Sequence, residues 1–242
     1  MLTLEKIEKL VSLNVKSYQI TVDGLRESHD KARYLVGKKG TWDVIMRNLK
    51  AAKDSDIKFR ITLRTNISED VMNEYQEYLK YMSKTFGDDK RFEFHFEAAK
   101  NLTEDFKIDV IEDEVDAIHK MTLAARDFGL KSAGLLPKIA PYGLVCYAGK
   151  NDSFVIDVDG TLMKCTVHIT SNFNKIGKLT EAGFQVKDDL MSIFTSKNLD
   201  ARCNSCIILP ICYGKKCPAV ERRDFRCDDL IKVYKNTLSS LL

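Results

Sequence analysis

Alternation of apolar and polar positions is clearest from Arg91 to Ala98, where Phe92, Phe94 and Phe96 take one face of a strand and Glu93, His95 and Glu97 the other. Ahead of it, Ser68 is placed to cap a long helix in which Val71, Tyr75, Tyr78, Leu79, Met82 and Phe86 recur at helical spacing, and Gly87 is placed to end it. The pattern predicts further helices at about 3–13, 41–53 and 111–129, a strand over Ser17 to Asp23 and another at about 57–65. Strands separated by helices imply parallel pairing through right-handed crossovers, and three strands are too few to close an eight-stranded barrel. The expectation is an α/β unit with a partial sheet. Helices covering the Phe face leave Glu93, His95 and Glu97 facing either a concave interior or solvent.

Beyond Gly134 the pattern changes. All four prolines (Pro137, Pro141, Pro210 and Pro218) lie there, and the breaker-rich stretch from Gly134 to Gly143 predicts a connection between two domains, 1–135 and 136–242. Phe154 to Asp157 and Thr161 to Cys165 flank an Asp159-Gly160 hairpin turn. A helix at about 185–199, cysteine-rich loops and a helix from about Asp228 to Leu241 follow.

Composition is that of a globular chain: 242 residues, 44% hydrophobic and 30% charged. A net charge of +3 from 38 basic and 35 acidic residues, well interspersed, gives no nucleic-acid or anionic-membrane surface. No apolar run reaches the roughly 20 residues of a membrane span, and Glu5, Lys6, Glu8 and Lys9 interrupt any signal peptide. A cytoplasmic protein is expected.

Cysteine placement departs from this ordinary picture. All seven lie between Cys146 and Cys227, a distribution with a random probability of roughly 0.2%. An odd count cannot close as intramolecular disulfides, and a reducing compartment favours metal ligation. Cys203-x2-Cys206 can present two thiolates from one turn, and Cys212, Cys217 and Cys227 follow at short range. Two four-ligand centres need one donor more than seven thiols supply, so one centre has an exchangeable position or borrows another ligand. Spacing alone leaves zinc and iron–sulfur chemistry both open; His168, three residues after Cys165, is the further donor on the zinc reading.

The run Cys146-x13-Gly160-x4-Cys165, then Cys203-x2-Cys206-x5-Cys212-x4-Cys217 and Cys227, resembles the SPASM domain of radical SAM peptide and protein maturases. Gln19-Ile20-Thr21-Val22-Asp23-Gly24, with His29-Asp30, Arg33 and Gly40-Thr41-Trp42, is similar to the fourth strand and following segment of the radical SAM partial barrel. This resemblance implies two auxiliary 4Fe-4S clusters. Cys146, Cys165 and Cys217 would hold the first, and Cys203, Cys206, Cys212 and Cys227 the second. The vacancy then falls on the first, where a substrate thiolate or other peptide donor would bind; Cys212-x4-Cys217 is one residue longer than the commonest family spacing.

The family's Cys-x3-Cys-x2-Cys motif is absent, so the chain resembles the C-terminal part of such an enzyme and is not expected to cleave S-adenosylmethionine (SAM) alone. The implied partners are a peptide or protein substrate and a missing N-terminal barrel half or electron donor. A non-catalytic iron–sulfur or zinc module working with that half is the other function class. By resemblance, Thr21 and Arg33 are candidates to hold SAM; Glu93 and His95, with Arg64 and Glu97, are candidates for SAM or substrate contact. Thr166 stands where sulfatase-maturing members commonly place a basic Asp, which favours ribosomal-peptide crosslinking as the chemistry. Asp157 and Asp159 read as turn residues.

Overall fold

A computed structural model of the chain describes residues 1–101, 109–132, 145–196, 199, 201–213 and 227–239. The chain divides into two compact units, Met1–Leu135 and Leu136–Leu242.

The first unit runs α1 (Leu4–Ser12), β1 (Ser17–Thr21), α2 (Arg26–Ala32), α3 (Trp42–Lys53), β2 (Arg60–Ile67), α4 (Glu69–Phe86), β3 (Phe92–Ala98) and α5 (Glu114–Asp127). Its strands form a wholly parallel sheet in the order β1-β2-β3. Ser68 caps α4 by accepting from Val71 N, as its position predicts. The Phe face of β3 lies under α5 and meets α4, where the Phe86 and Phe92 rings stand 4.7 Å apart. With Ile61, Leu63, Ile67, Leu79, Met82 and Met121 it forms the core.

β2 starts later than the alternation predicts because Arg91 captures the chain before it. The Arg91 guanidinium donates to the carbonyls of Lys53, Ser55 and Ile57 and to Asp89, and stacks over Phe59 at 4.6 Å. The Ile57 carbonyl, the one of these that lies in the expected strand, is thereby diverted from strand pairing. At its other end β2 runs on to Ile67, where Asn66 pairs with Glu97 and Ile67 with Ala98. The short helix α2 was not predicted.

The outer edge of β1 pairs with no strand among the described residues. Arg60 N donates to Lys16 O and Val22 N to Arg64 O, so alternation turns the peptide groups of Ser17, Gln19 and Thr21 outward.

The second unit is more regular than a hairpin with loops. An antiparallel sheet in the order β4-β5-β6-β7 joins Val155–Ile156, Thr161–Met163, Lys175–Thr180 and Gly183–Val186. Gly160 takes a φ of 83° in the predicted turn. Asp159 accepts from the Thr161 amide and hydroxyl and from Lys178, so it is indeed a turn residue. Helix α6 (Asp188–Thr195) packs on β6 and is shorter than predicted, because Gln185 and Val186 belong to β7. Ala148, Leu162, Cys165, Ile176 and Phe194 make a small core. Helices α7 (Leu209–Cys212) and α8 (Cys227–Ser239) complete the described elements.

Candidate functional site

Strand register sorts the polar residues of the first unit into rows across one sheet face. Gln19, Thr62 and Glu93 form one row, Thr21, Arg64 and His95 the next, and Asn66 and Glu97 the last. Predicted contact residues from three strands therefore share a face. The side chains of Glu93, His95 and Glu97 are 26%, 34% and 28% exposed, neither sealed nor freely solvated. His95 Nε2 lies 3.1 Å from Glu97 Oε1, while Lys131 and Arg60 both pair with Glu93. Arg64 Nε donates to Asn66 Oδ1 at 2.9 Å.

Past the end of β1, the buried Asp23 carboxylate organises a polar knot. Asp23 Oδ1 accepts from Asn66 N at 2.7 Å and Asn66 Nδ2 at 3.1 Å, and its Oδ2 accepts from Arg33 Nε at 2.5 Å. The fully buried His29 receives the Asp23 amide on Nδ1 at 3.1 Å. Thr41 has one hydroxyl hydrogen and gives it to the Arg33 carbonyl at 2.7 Å. The 3.0 Å contact between His29 Nε2 and Thr41 Oγ1 therefore has the imidazole as donor, which assigns a neutral ring protonated on Nε2. Burial pushes the His29 pKa below its ordinary value, against the raising effect of Asp23 and Asp30.

Asp30 fixes the turn into α3 by accepting from Thr41 N and Trp42 N at 2.7 and 2.9 Å. Its carboxylate fills the space a side chain at position 40 would take, which is why Gly40 stands there. Arg33 and Thr21 both line a cavity of about 670 Å³ bounded also by Gln19, Ile20, Thr41 and Leu49. Two of the sequence candidates thus meet at one cavity, with Arg33 Nε already committed to Asp23. Glu93 and His95 do not line it. His29, Thr41 and Asn66 had no predicted role; His29 and Thr41 stood only within the segment that carries the resemblance, and Asn66 had no signal in the sequence.

In the second unit five cysteine side chains are described. Cys165 is buried, Cys146 is exposed, and Cys203, Cys206 and Cys212 are half-buried. Cys217 and the side chain of Cys227 lie outside the described residues. Among the described residues no three Cys, His, Asp or Glu side chains gather as a metal site, and His168 finds no such set with Cys165. Two local features bear on thiolate chemistry, one at Cys165 and one at Cys203-Cys206. Val167 N donates to Cys165 Sγ at 3.4 Å, the kind of bond that supports a sulfur carrying negative charge. Cys203 and Cys206 share one turn, closed by Cys206 N donating to Cys203 O at 3.2 Å. Cys212 ends α7 immediately before Tyr213, whose φ is 56°.

The mixed α/β arrangement built on the parallel sheet β1-β2-β3 is a fold also found in solved structures of a radical SAM enzyme. Solved structures of anSMEcpe, an anaerobic sulfatase-maturating radical SAM enzyme, share it. The structure with bound AdoMet matches at a TM-score of 0.65 and 15% identity, covering 99% of this chain and 67% of that one. The structure with AdoMet and Cp18Cys peptide matches at 0.60 and 15% identity, covering 99% and 71%. That with Kp18Cys peptide matches at 0.58 and 15%, covering 96% and 68%. No protein-family model and no curated protein matches the chain. Among the described residues no helix is long and apolar enough to cross a membrane.

Proposed function

We propose that this chain is the substrate-binding and auxiliary-cluster part of a radical SAM maturase acting on a peptide or protein. The observation that carries the reading is the likeness over 96–99% of the chain to a radical SAM maturase, together with seven cysteines confined to the second unit. Peptide-bound forms of that enzyme support a peptide as substrate.

On this reading Cys146, Cys165 and Cys217 hold one 4Fe-4S cluster and Cys203, Cys206, Cys212 and Cys227 the other. Such clusters supply electron transfer and, where a coordination position is open, a site for a substrate donor. The residues of this chain do the rest. Thr21 and Arg33 border the cavity proposed for the methionyl end of SAM, and the Asp23 carboxylate orients the Arg33 guanidinium there. Arg64 and the His95–Glu97 pair offer a donor and an acceptor to a substrate on the polar sheet face. Thr166 is bound to Tyr147 Oη through both its amide (2.9 Å) and its hydroxyl (2.7 Å), and a hydroxyl is no general base at neutral pH. That favours crosslinking of a ribosomally made peptide over the sulfatase reaction.

Residues 1–145 contain no cysteine, and the outer edge of β1 has no described partner strand. Both observations favour a second component of the reading: a segment or subunit that adds strands at this edge and brings the radical-generating cluster. Anaerobic purification and reconstitution, followed by iron, sulfide and zinc analysis, tests the proposal. About eight irons per chain is the expected result; two zincs without iron would identify a zinc module instead.

A further inference from the structure

We infer that Asn174 is the positioning residue of the Cys165 ligand, an assignment that rests, for its redox consequence, on the cluster reading above. Asn174 lies ten positions beyond Lys164 in the 3-10 turn Asn172–Asn174, and it is fully buried. Its amide uses every hydrogen-bonding position on one short loop. Oδ1 accepts from Lys164 N at 3.0 Å and Cys165 N at 2.8 Å, and Nδ2 donates to Cys165 O at 2.7 Å and His168 O at 3.0 Å. The chain is thus gripped on both sides of Cys165 and again three residues later. Between those grips, Val167 N points at Cys165 Sγ.

A planar amide with two donors and two acceptors can satisfy four peptide groups only if all four hold fixed directions. The bend of the loop and the aim of the Val167 N–H are therefore set by contacts of the protein itself. Two neighbours reinforce the grip. The buried Lys164 ammonium donates to the carbonyls of Lys150 and Ser153 and sits 4.9 Å from the Phe154 ring centre. Tyr147, next to Cys146, holds Thr166, next to Cys165. A generic turn cap would need one bond, whereas Asn174 makes four, all within residues 164–168. Stabilising negative charge on the sulfur by an aimed N–H raises the reduction potential of the cluster it ligates.

The test uses Asn174→Asp and Asn174→Ala in the full chain. Asn174→Asp is nearly isosteric and keeps the acceptor for Lys164 N and Cys165 N but sets an oxygen against the carbonyls of Cys165 and His168, so retained exchange protection in β5 and β6 is what shows either variant to be folded. In metal-free protein, hydrogen exchange at Val167 should accelerate in both variants relative to wild type, while exchange in β2 and β3 stays unchanged. In reconstituted protein, EPR-monitored titration should show one cluster shifted to lower potential and the other unmoved. Exchange at Val167 as slow as wild type in a folded Asn174→Asp variant would overturn the inference. So would equal loss of iron from both clusters with unshifted potentials, which is what a merely structural role gives. Should wild type bind zinc in place of iron while Val167 exchange still responds, the positioning role stands and the cluster reading fails.

Discussion

His29 shows how much a single buried ring can be made to report. With Nδ1 accepting from Asp23 N and Nε2 donating to Thr41, the cavity fits only the neutral form; protonation would set an N–H against the Asp23 amide. Its pKa is lowered in the folded state, so the unfolded chain binds the extra proton first. The stabilising contribution is complete above the unfolded value of about 6.5 and is lost as pH falls from there toward the folded value. The stability advantage of wild type over His29→Gln should therefore be constant from pH 7 to 8 and shrink by up to about 1.4 kcal/mol per pH unit below 6.5. Urea unfolding of both proteins at pH 7.5 and 5.0 measures it. Asp23 answers to a different argument. Asp23→Ala leaves the half-buried donors of Asn66 without this acceptor, and about 1–2 kcal/mol of stability should be lost.

At the scale of elements, the connection from β1 into α2 depends on Gly24. Its φ of 83° lies where other residues are strained, and a Cβ there would collide with the Glu74 carboxylate that accepts from Leu25 N at 2.6 Å. Gly24→Ala should cost about 1–3 kcal/mol in denaturant unfolding and displace Asp23 with the turn, enlarging its effect on ligand binding at the cavity. The elements of the first unit were legible where one local rule sufficed. Ser68 and Gly87 bracket α4, and the Phe alternation gives β3 within one residue. What was not legible depends on distant partners. The start of β2 is set by Arg91, which lies more than thirty positions downstream of the carbonyls it binds. β6 and β7 have little alternation of their own, and Lys175–Thr180 becomes a strand because β5 and β7 pair with it on both sides. The candidate site divides similarly. Cysteine spacing is visible in one dimension, but the four bonds of Asn174 to residues 164–168 exist only once the sheet has formed.

On the scale of the molecule, the cluster reading gives the two units different sources of stability. The first buries a sheet face of Ile61, Leu63, Ile67, Phe92, Phe94 and Phe96 beneath two long helices. Among the described residues the second has a core cluster of Ala148, Leu162, Ile176, Phe194 and Cys165 itself, flanked by half-buried Phe154, Phe173 and Leu190, and its cysteine-bearing elements from Ala201 to Cys212 are single turns. Ligation free energy, of order 10 kcal/mol for structural zinc, is comparable with what an apolar cluster of this size provides. On that reading, removing the metal should act on one unit and spare the other. In calorimetry of the reconstituted protein before and after anaerobic chelation, a transition belonging to Met1–Leu135 should keep its midpoint, while that of Leu136–Leu242 moves to lower temperature or disappears. Trp42, the only tryptophan, lies in the first unit and reports that transition separately by fluorescence. A single transition displaced as a whole by chelation would show instead that the sheet of the first unit depends on the cysteines of the second, and the two units would then have to be treated as one cooperative body.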